Sequence, residues 1–130
     1  MPARKPRILN VSMTPALQKE RAAVLAGAGC EVVPALDLLQ VEGAFKKHGE
    51  FDLVIIGYVL PNGEKRRVMH AVRKYSGAGT PILELYQHGT EPANEESDEE
   101  LPAHEEPGVL LGKVRELLAR KQKKRRAASD

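Results

Sequence analysis

The chain has 130 residues, of which 42% are hydrophobic and 29% charged, and a formal net charge of +2. That length suits one domain with a two- or three-layer core, and the balance excludes an intrinsically disordered chain. The small net charge excludes nucleic-acid binding driven by overall charge alone, and no run approaches the roughly 20 apolar residues of a membrane-spanning helix. The single cysteine, Cys30, cannot close an internal disulfide, which fits a reducing compartment. The apolar run after Arg4, Lys5 and Arg7 is short and broken by Asn10 and Ser12, so no signal peptide is expected. These features predict a cytoplasmic protein.

In chain order, residues 1–6 form a basic, proline-flanked lead-in, and Arg7 to Val11 is a short strand. Thr14 caps a helix with Pro15 at its first position, and Leu17, Val24, Leu25 and Ala28 recur at helical spacing until Gly27 and Gly29 end it. Glu31 to Pro34 is a second strand, placed at a sheet edge because proline lacks the ladder N–H. Leu36 to Lys47 is a second helix, with Asp37 near its start and Leu39, Ala44 and Phe45 inward. The run Leu53 to Ile56, closed by Gly57, reads as a fully buried parallel strand. Asn62 then caps a helix over Gly63 to Tyr75 with Val68, Met69 and Val72 as its apolar face, and Pro81 to Leu85 is a fourth strand. Strand–helix alternation at this spacing predicts a parallel α/β sheet with crossover helices.

After Tyr86 the pattern decays. Residues 87–106 carry Gly89, Pro92, Pro102 and eight acids, so an irregular, mobile segment is expected in place of a fourth helix. At most a vestigial strand is expected around Leu101 to His104. Pro107 opens an amphipathic helix with Val109, Leu110, Val114, Leu117 and Leu118 on one face. The cations of residues 120–126 follow it as a solvated helix end and basic tail.

Ligands and chemistry in open α/β sheets gather just past the carboxyl ends of strands. Gly57 stands at that place after the buried strand and has no side chain. Glu84 is a carboxylate within a strand. It is either an acid with a raised pKa in a site or, the reading favoured here, a residue near an exposed sheet edge where it is solvated or paired. Cys30 reads as a small buried hydrophobe. His48, His70, His88 and His104 show no metal-ligand spacing. The Gly27-Ala28-Gly29 and Gly77-Ala78-Gly79 stretches are turns and lack the context of a phosphate loop.

The order of these elements and several local motifs resemble the response regulator receiver domains of two-component signalling. Ile8 to Leu17 resembles the first strand and its following turn, Gly29-Cys30-Glu31-Val32 the entry to strand two, and Phe51 to Pro61 the third strand and its Leu-Pro turn. Thr80 to Leu85 resembles strand four and Pro107 to Leu118 the last helix. The resemblance covers about Arg7 to Arg120. It implies a flavodoxin-like, doubly wound five-stranded parallel sheet of order 2-1-3-4-5, with a degenerate fourth helix and fifth strand.

Carried over by position, the family's chemistry is missing. The aspartate that would take a phosphoryl group falls at Gly57, the acidic pair that helps hold Mg²⁺ at Ser12 and Met13, and the switch hydroxyl at Tyr86. The lysine after strand five has no match. Asp52 lies at the far end of the same strand, and Glu64 has no second acid with which to share a metal. The resemblance therefore implies a non-phosphorylatable pseudo-receiver over residues 7–120, followed by a basic tail over 121–130. It would have no catalytic residue, metal or cofactor, would not be an enzyme, and would act by binding a protein partner such as a signalling kinase or output protein. Tyr58, Leu60, Pro61 and Tyr86 are the expected contact residues. A monomer or weak homodimer is expected, with a partner ordering residues 87–106 and no role for membrane or nucleic acid. Two alternatives stand beside it: a small-molecule binder using the crevice at Gly57, and a nucleic-acid adaptor using the basic tail, which lacks interleaved aromatics.

Overall fold

A computed structural model describes residues 5–76, 79–87, 89–93, 97–103 and 107–129, with side chains to residue 121. Its elements are β1 (Arg7–Val11), α1 (Pro15–Gly27), β2 (Glu31–Ala35), α2 (Leu38–His48), β3 (Leu53–Ile56), α3 (Asn62–Ser76), β4 (Ile82–Tyr86), β5 (Glu99–Pro102) and α4 (Pro107–Ser129). All strands pair in parallel in the order β2-β1-β3-β4-β5. β2, which carries Pro34, lies at one edge, as its proline requires.

The central strands are buried on both faces, and their two-residue period sorts the core into two layers. Leu9, Val11, Val54, Ile56 and Ile82 face one side, where they meet Val41, Ala44 and Phe45 of α2 and Val68, Met69 and Val72 of α3. Ile8, Leu53, Ile55, Leu83 and Leu85 face the other, against Leu25 of α1 and Val114 and Leu117 of α4. Phe45 contacts Phe51 edge-on at 5.1 Å between centroids and stacks on Tyr75 at 5.3 Å, filling the α2–α3 layer.

The helix faces differ in part from those read off the sequence. On α1 the fully inward positions are Gln18, Arg21 and Leu25, whereas Ala28 is exposed and Leu17 and Val24 are half-buried. On α2, Leu39 points to solvent and Val41 takes the inward place. Asp37 caps α2 by accepting a 2.9 Å hydrogen bond from the Gln40 N–H. Thr14 precedes α1 without a side-chain cap, and Pro15 opens that helix.

β5 is a registered strand and not a vestige. It pairs residue for residue with β4 from Leu83↔Glu99 to Tyr86↔Pro102, starting two residues before the expected stretch. Only Leu101 of the four is buried, so its apolar signal in the sequence is a single residue. Among the described residues, no helix lies between β4 and β5. His88 and His104 lie outside the described residues, as do parts of the segment expected to be irregular.

Lys121, read as the first residue of a basic tail, is instead buried. Its Nζ donates a 2.6 Å hydrogen bond to the Phe51 carbonyl and lies 3.9 Å from Asp52 Oδ1, pinning α4 to the entry of β3. The helix backbone continues to Ser129.

Candidate functional site

The chain steps from β1 outward to β2 and then crosses back to β3 on the other side of β1. The carboxyl ends of β1 and β3 are therefore where successive connections diverge, and a crevice forms at such a point. Val11 pairs with Ile56, so Ser12 and Gly57 are the first residues beyond the sheet on either side of it. Gly57 is buried, and its N–H donates a 2.8 Å hydrogen bond to the Val11 carbonyl.

A Cβ at Gly57 would stand 3.1 Å from the Val11 carbonyl oxygen and 3.3 Å and 3.6 Å from Nη1 and Nη2 of Arg21. The position at which the resemblance implies a nucleophilic carboxylate is thus empty of side chain and faced by a guanidinium. Arg21 comes from the inward stripe of α1 and is 8% exposed. Its Nη1 donates a 2.9 Å hydrogen bond to Asn10 Oδ1. Asn10 in turn donates from Nδ2 to the Gln18 carbonyl at 3.1 Å, and Gln18 Nε2 donates to the carbonyls of Asn10 at 3.3 Å and Ala35 at 3.1 Å. This network ties α1 to β1 and the end of β2 and fixes the guanidinium in place.

Among the described residues, no carboxylate pairs with Arg21. Burial lowers its pKa from the ordinary arginine value, and the Tyr58 phenol beside it offsets part of that. Even so shifted, a guanidinium remains a cation with five N–H donors and no acceptor. It can hold an anion, but it offers no nucleophile and no base.

Ser12 is buried, its hydroxyl 3.3 Å from both the carbonyl and the N–H of Thr14, and it closes the turn into α1. Met13 is 51% exposed. Tyr86 is half-buried at the end of β4, and Tyr58 is half-buried beside Arg21. Leu60, expected at a contact surface, is 4% exposed and belongs to the core under α2 and α3, so it has no face to offer a partner. Pro61 is exposed. Glu64 pairs with Arg67 at 3.3 Å on the surface, and Asp52 accepts a 2.8 Å hydrogen bond from the Arg7 N–H. Neither acid is placed at Gly57. Among the described residues, no group of three or more His, Cys, Asp or Glu could hold a metal ion. A hard divalent cation prefers carboxylates and water. The side chains here are a committed hydroxyl, an exposed thioether and a guanidinium, so this donor set does not suit Mg²⁺.

Glu84 is not at a solvated edge, because β5 covers that side of β4. It is fully buried, accepts from Lys65 Nζ at 3.1 Å and takes the Ala93 N–H on the same oxygen at 2.6 Å. Lys65 also donates to the Leu85 carbonyl at 2.8 Å. The paired half of the expectation describes this carboxylate and the solvated half does not.

Sequence reading missed Arg21 and Lys65, since charged residues on a helix are assigned outward by hydrophobic periodicity. Beside Arg21 opens a cleft of about 200 Å³. It is walled by Leu17 and Val24 of α1, Tyr58, Leu85, Leu101 and Leu110, with Glu20 at its side.

No protein-family model matches the sequence, and comparison with curated proteins gives no match. Solved structures do match. A CheY-like response regulator receiver domain protein from Methanospirillum hungatei JF-1 is 21% identical, with 93% of this chain and 99% of that chain covered and a TM-score of 0.80. Chemotaxis protein CheY4 of Vibrio cholerae is 24% identical, covering 88% and 99%, with a TM-score of 0.76. The receiver domain from hybrid histidine kinase CckA is 25% identical, covering 86% and 98%, with a TM-score of 0.70. The chain thus has the fold of the response regulator receiver domains.

Proposed function

We propose that this chain is a receiver-like signalling module that takes no phosphoryl group and works through contact with a protein partner, a signalling kinase or an output protein. The observation that carries the reading is the Arg21 guanidinium over Gly57. An aspartyl phosphate needs a carboxylate nucleophile and a metal held by acids. Here Gly57 supplies neither, and the fixed positive charge repels a cation where one would have to sit. The receiver fold supports the signalling role, and the absence of a nucleophile–base pair at the crevice supports a binding module in preference to an enzyme. Tyr58, Pro61 and Tyr86 remain the contact residues proposed at that end of the sheet.

A Mg²⁺ titration followed by amide NMR tests the reading. Resonances of Ser12, Met13 and Gly57 stay in place through millimolar Mg²⁺ if the metal chemistry is gone. Saturable shifts confined to those residues would overturn it.

A further inference from the structure

The geometry points to a binding site for a small organic monocarboxylate in the cleft beside Arg21, the ligand's apolar body lying between α1 and α4. This goes beyond the partner-binding role and does not depend on it.

Three observations converge on it. Arg21 is a buried cation with a single hydrogen bond, from Nη1 to Asn10 Oδ1, and no carboxylate partner among the described residues. No fully buried side-chain nitrogen or oxygen among them lacks a partner, so Arg21 Nε and Nη2 are not wholly sealed from solvent. Arg21 itself is among the residues that line the cleft. A planar fork of donors in a water-poor wall matches the two oxygens of a carboxylate.

The rest of the lining selects within the anions. Leu17, Val24, Leu85, Leu101 and Leu110 give apolar walls, and the Tyr58 ring adds an amphipathic one. At about 200 Å³ the space is smaller than a drug-sized pocket of roughly 300–1,000 Å³, so the ligand is small. Glu20, on the same helix, places a negative charge beside the cleft, which disfavours dianions such as phosphate. One cation, one neighbouring acid and apolar walls fit a single negative charge on a hydrocarbon or aromatic body.

The restoring effect on Arg21 runs the same way. Burial without an anion is what lowers its pKa, and a bound carboxylate replaces the lost hydration. Binding would also bridge α1, the Tyr58 turn and the β5–α4 end of the sheet.

The test uses the full chain and four probes: benzoate, isovalerate, benzamide and inorganic phosphate. Amide NMR and thermal unfolding read binding. Benzoate or isovalerate should shift Tyr58, Arg21 and Leu101 saturably and raise the unfolding temperature, with benzamide and phosphate ineffective. Arg21→Lys keeps a cation able to reach Asn10 but loses the fork, and should weaken the carboxylate about tenfold or more. Leu110→Trp fills the cleft without touching the cation and should abolish binding, which keeps the test valid if the arginine variant is unstable. Silence from both carboxylates, equal response to benzamide, preference for phosphate, or binding retained in Leu110→Trp would each overturn the assignment.

Discussion

Lys65 Nζ stands 3.1 Å from Glu84 Oε2 beneath α3, the two side chains 2% and 0% exposed. The same carboxylate oxygen takes the Ala93 N–H, and the ammonium also serves the Leu85 carbonyl. One buried ion pair therefore joins α3, β4 and the stretch between β4 and β5, where no helix is present among the described residues. Asn62 Nδ2 adds a second tie from the start of α3 to the Glu91 carbonyl at 3.1 Å. A connection with few apolar residues is held to the sheet by polar contacts.

Replacing Lys65 takes the ammonium away from the fully buried Glu84 carboxylate. Lys65→Met should cost about 3–5 kcal/mol in urea unfolding. Glu84→Gln keeps an acceptor for Ala93, so the double variant should cost less than the sum of the singles by about 0.5–3 kcal/mol. Additive costs would show that the pair is not coupled.

Gly57 is held to glycine by backbone and guanidinium together. Gly57→Ala places its methyl 3.1 Å from the Val11 carbonyl oxygen, within a paired strand end that cannot move freely. A loss of about 1–3 kcal/mol in chemical denaturation is expected. Gly57→Asp would set its carboxylate against Arg21, and the resulting ion pair should leave the protein unable to take a phosphoryl group. Phosphorylation of that variant would show that Ser12 and Met13 suffice at the metal site.

Lys121 tests whether α4 is pinned at its charged half. Lys121→Met removes the 2.6 Å ammonium donor from the Phe51 carbonyl, which keeps a 3.1 Å hydrogen bond from the Thr80 hydroxyl, and should destabilise the fold by about 1–3 kcal/mol, read by thermal or urea unfolding. A neutral effect would return this residue to the solvated tail that the sequence suggested.

Glu100 gives a pH dependence of defined sign. Burial raises its pKa above the ordinary 4.5, with the charges of Glu84 and then Glu99 adding to it. The folded state therefore binds this proton more tightly than the unfolded chain. Stability from this residue is lost as pH rises from the ordinary carboxylate range through the raised folded value, and the loss persists at neutral pH. Glu100→Gln should accordingly stabilise the protein at neutral pH, by less than about 1 kcal/mol because solvent screens a half-buried group, and do nothing in acid. A gain that is equal at both ends of the pH range would contradict the assignment.

Much of the scaffold is legible in the sequence because its signal is local. The apolar run Leu53–Ile56 marks a strand buried on both faces, Pro34 marks an edge, and Val68, Met69 and Val72 mark the inward stripe of α3. The same logic loses the site. Gln18, Arg21 and Lys65 sit inward on helices where periodicity assigns polar residues to solvent, and each is accommodated by a partner distant in sequence. Asn10 answers Arg21 from 11 residues away and Glu84 answers Lys65 from 19. β5 is obscure for a related reason: strand pairing to β4 defines it, and only Leu101 of its four residues is buried. Gly57 could be read as a missing nucleophile, but only the fold shows that a cation faces the space it leaves.

The central claim is that this receiver-like scaffold has exchanged its acid chemistry for a fixed positive charge. Incubation with acetyl phosphate and Mg²⁺, followed by intact-mass measurement, tests it most directly. The account predicts an unmodified mass throughout. A phosphoryl adduct that maps to an aspartate of the folded protein would contradict it.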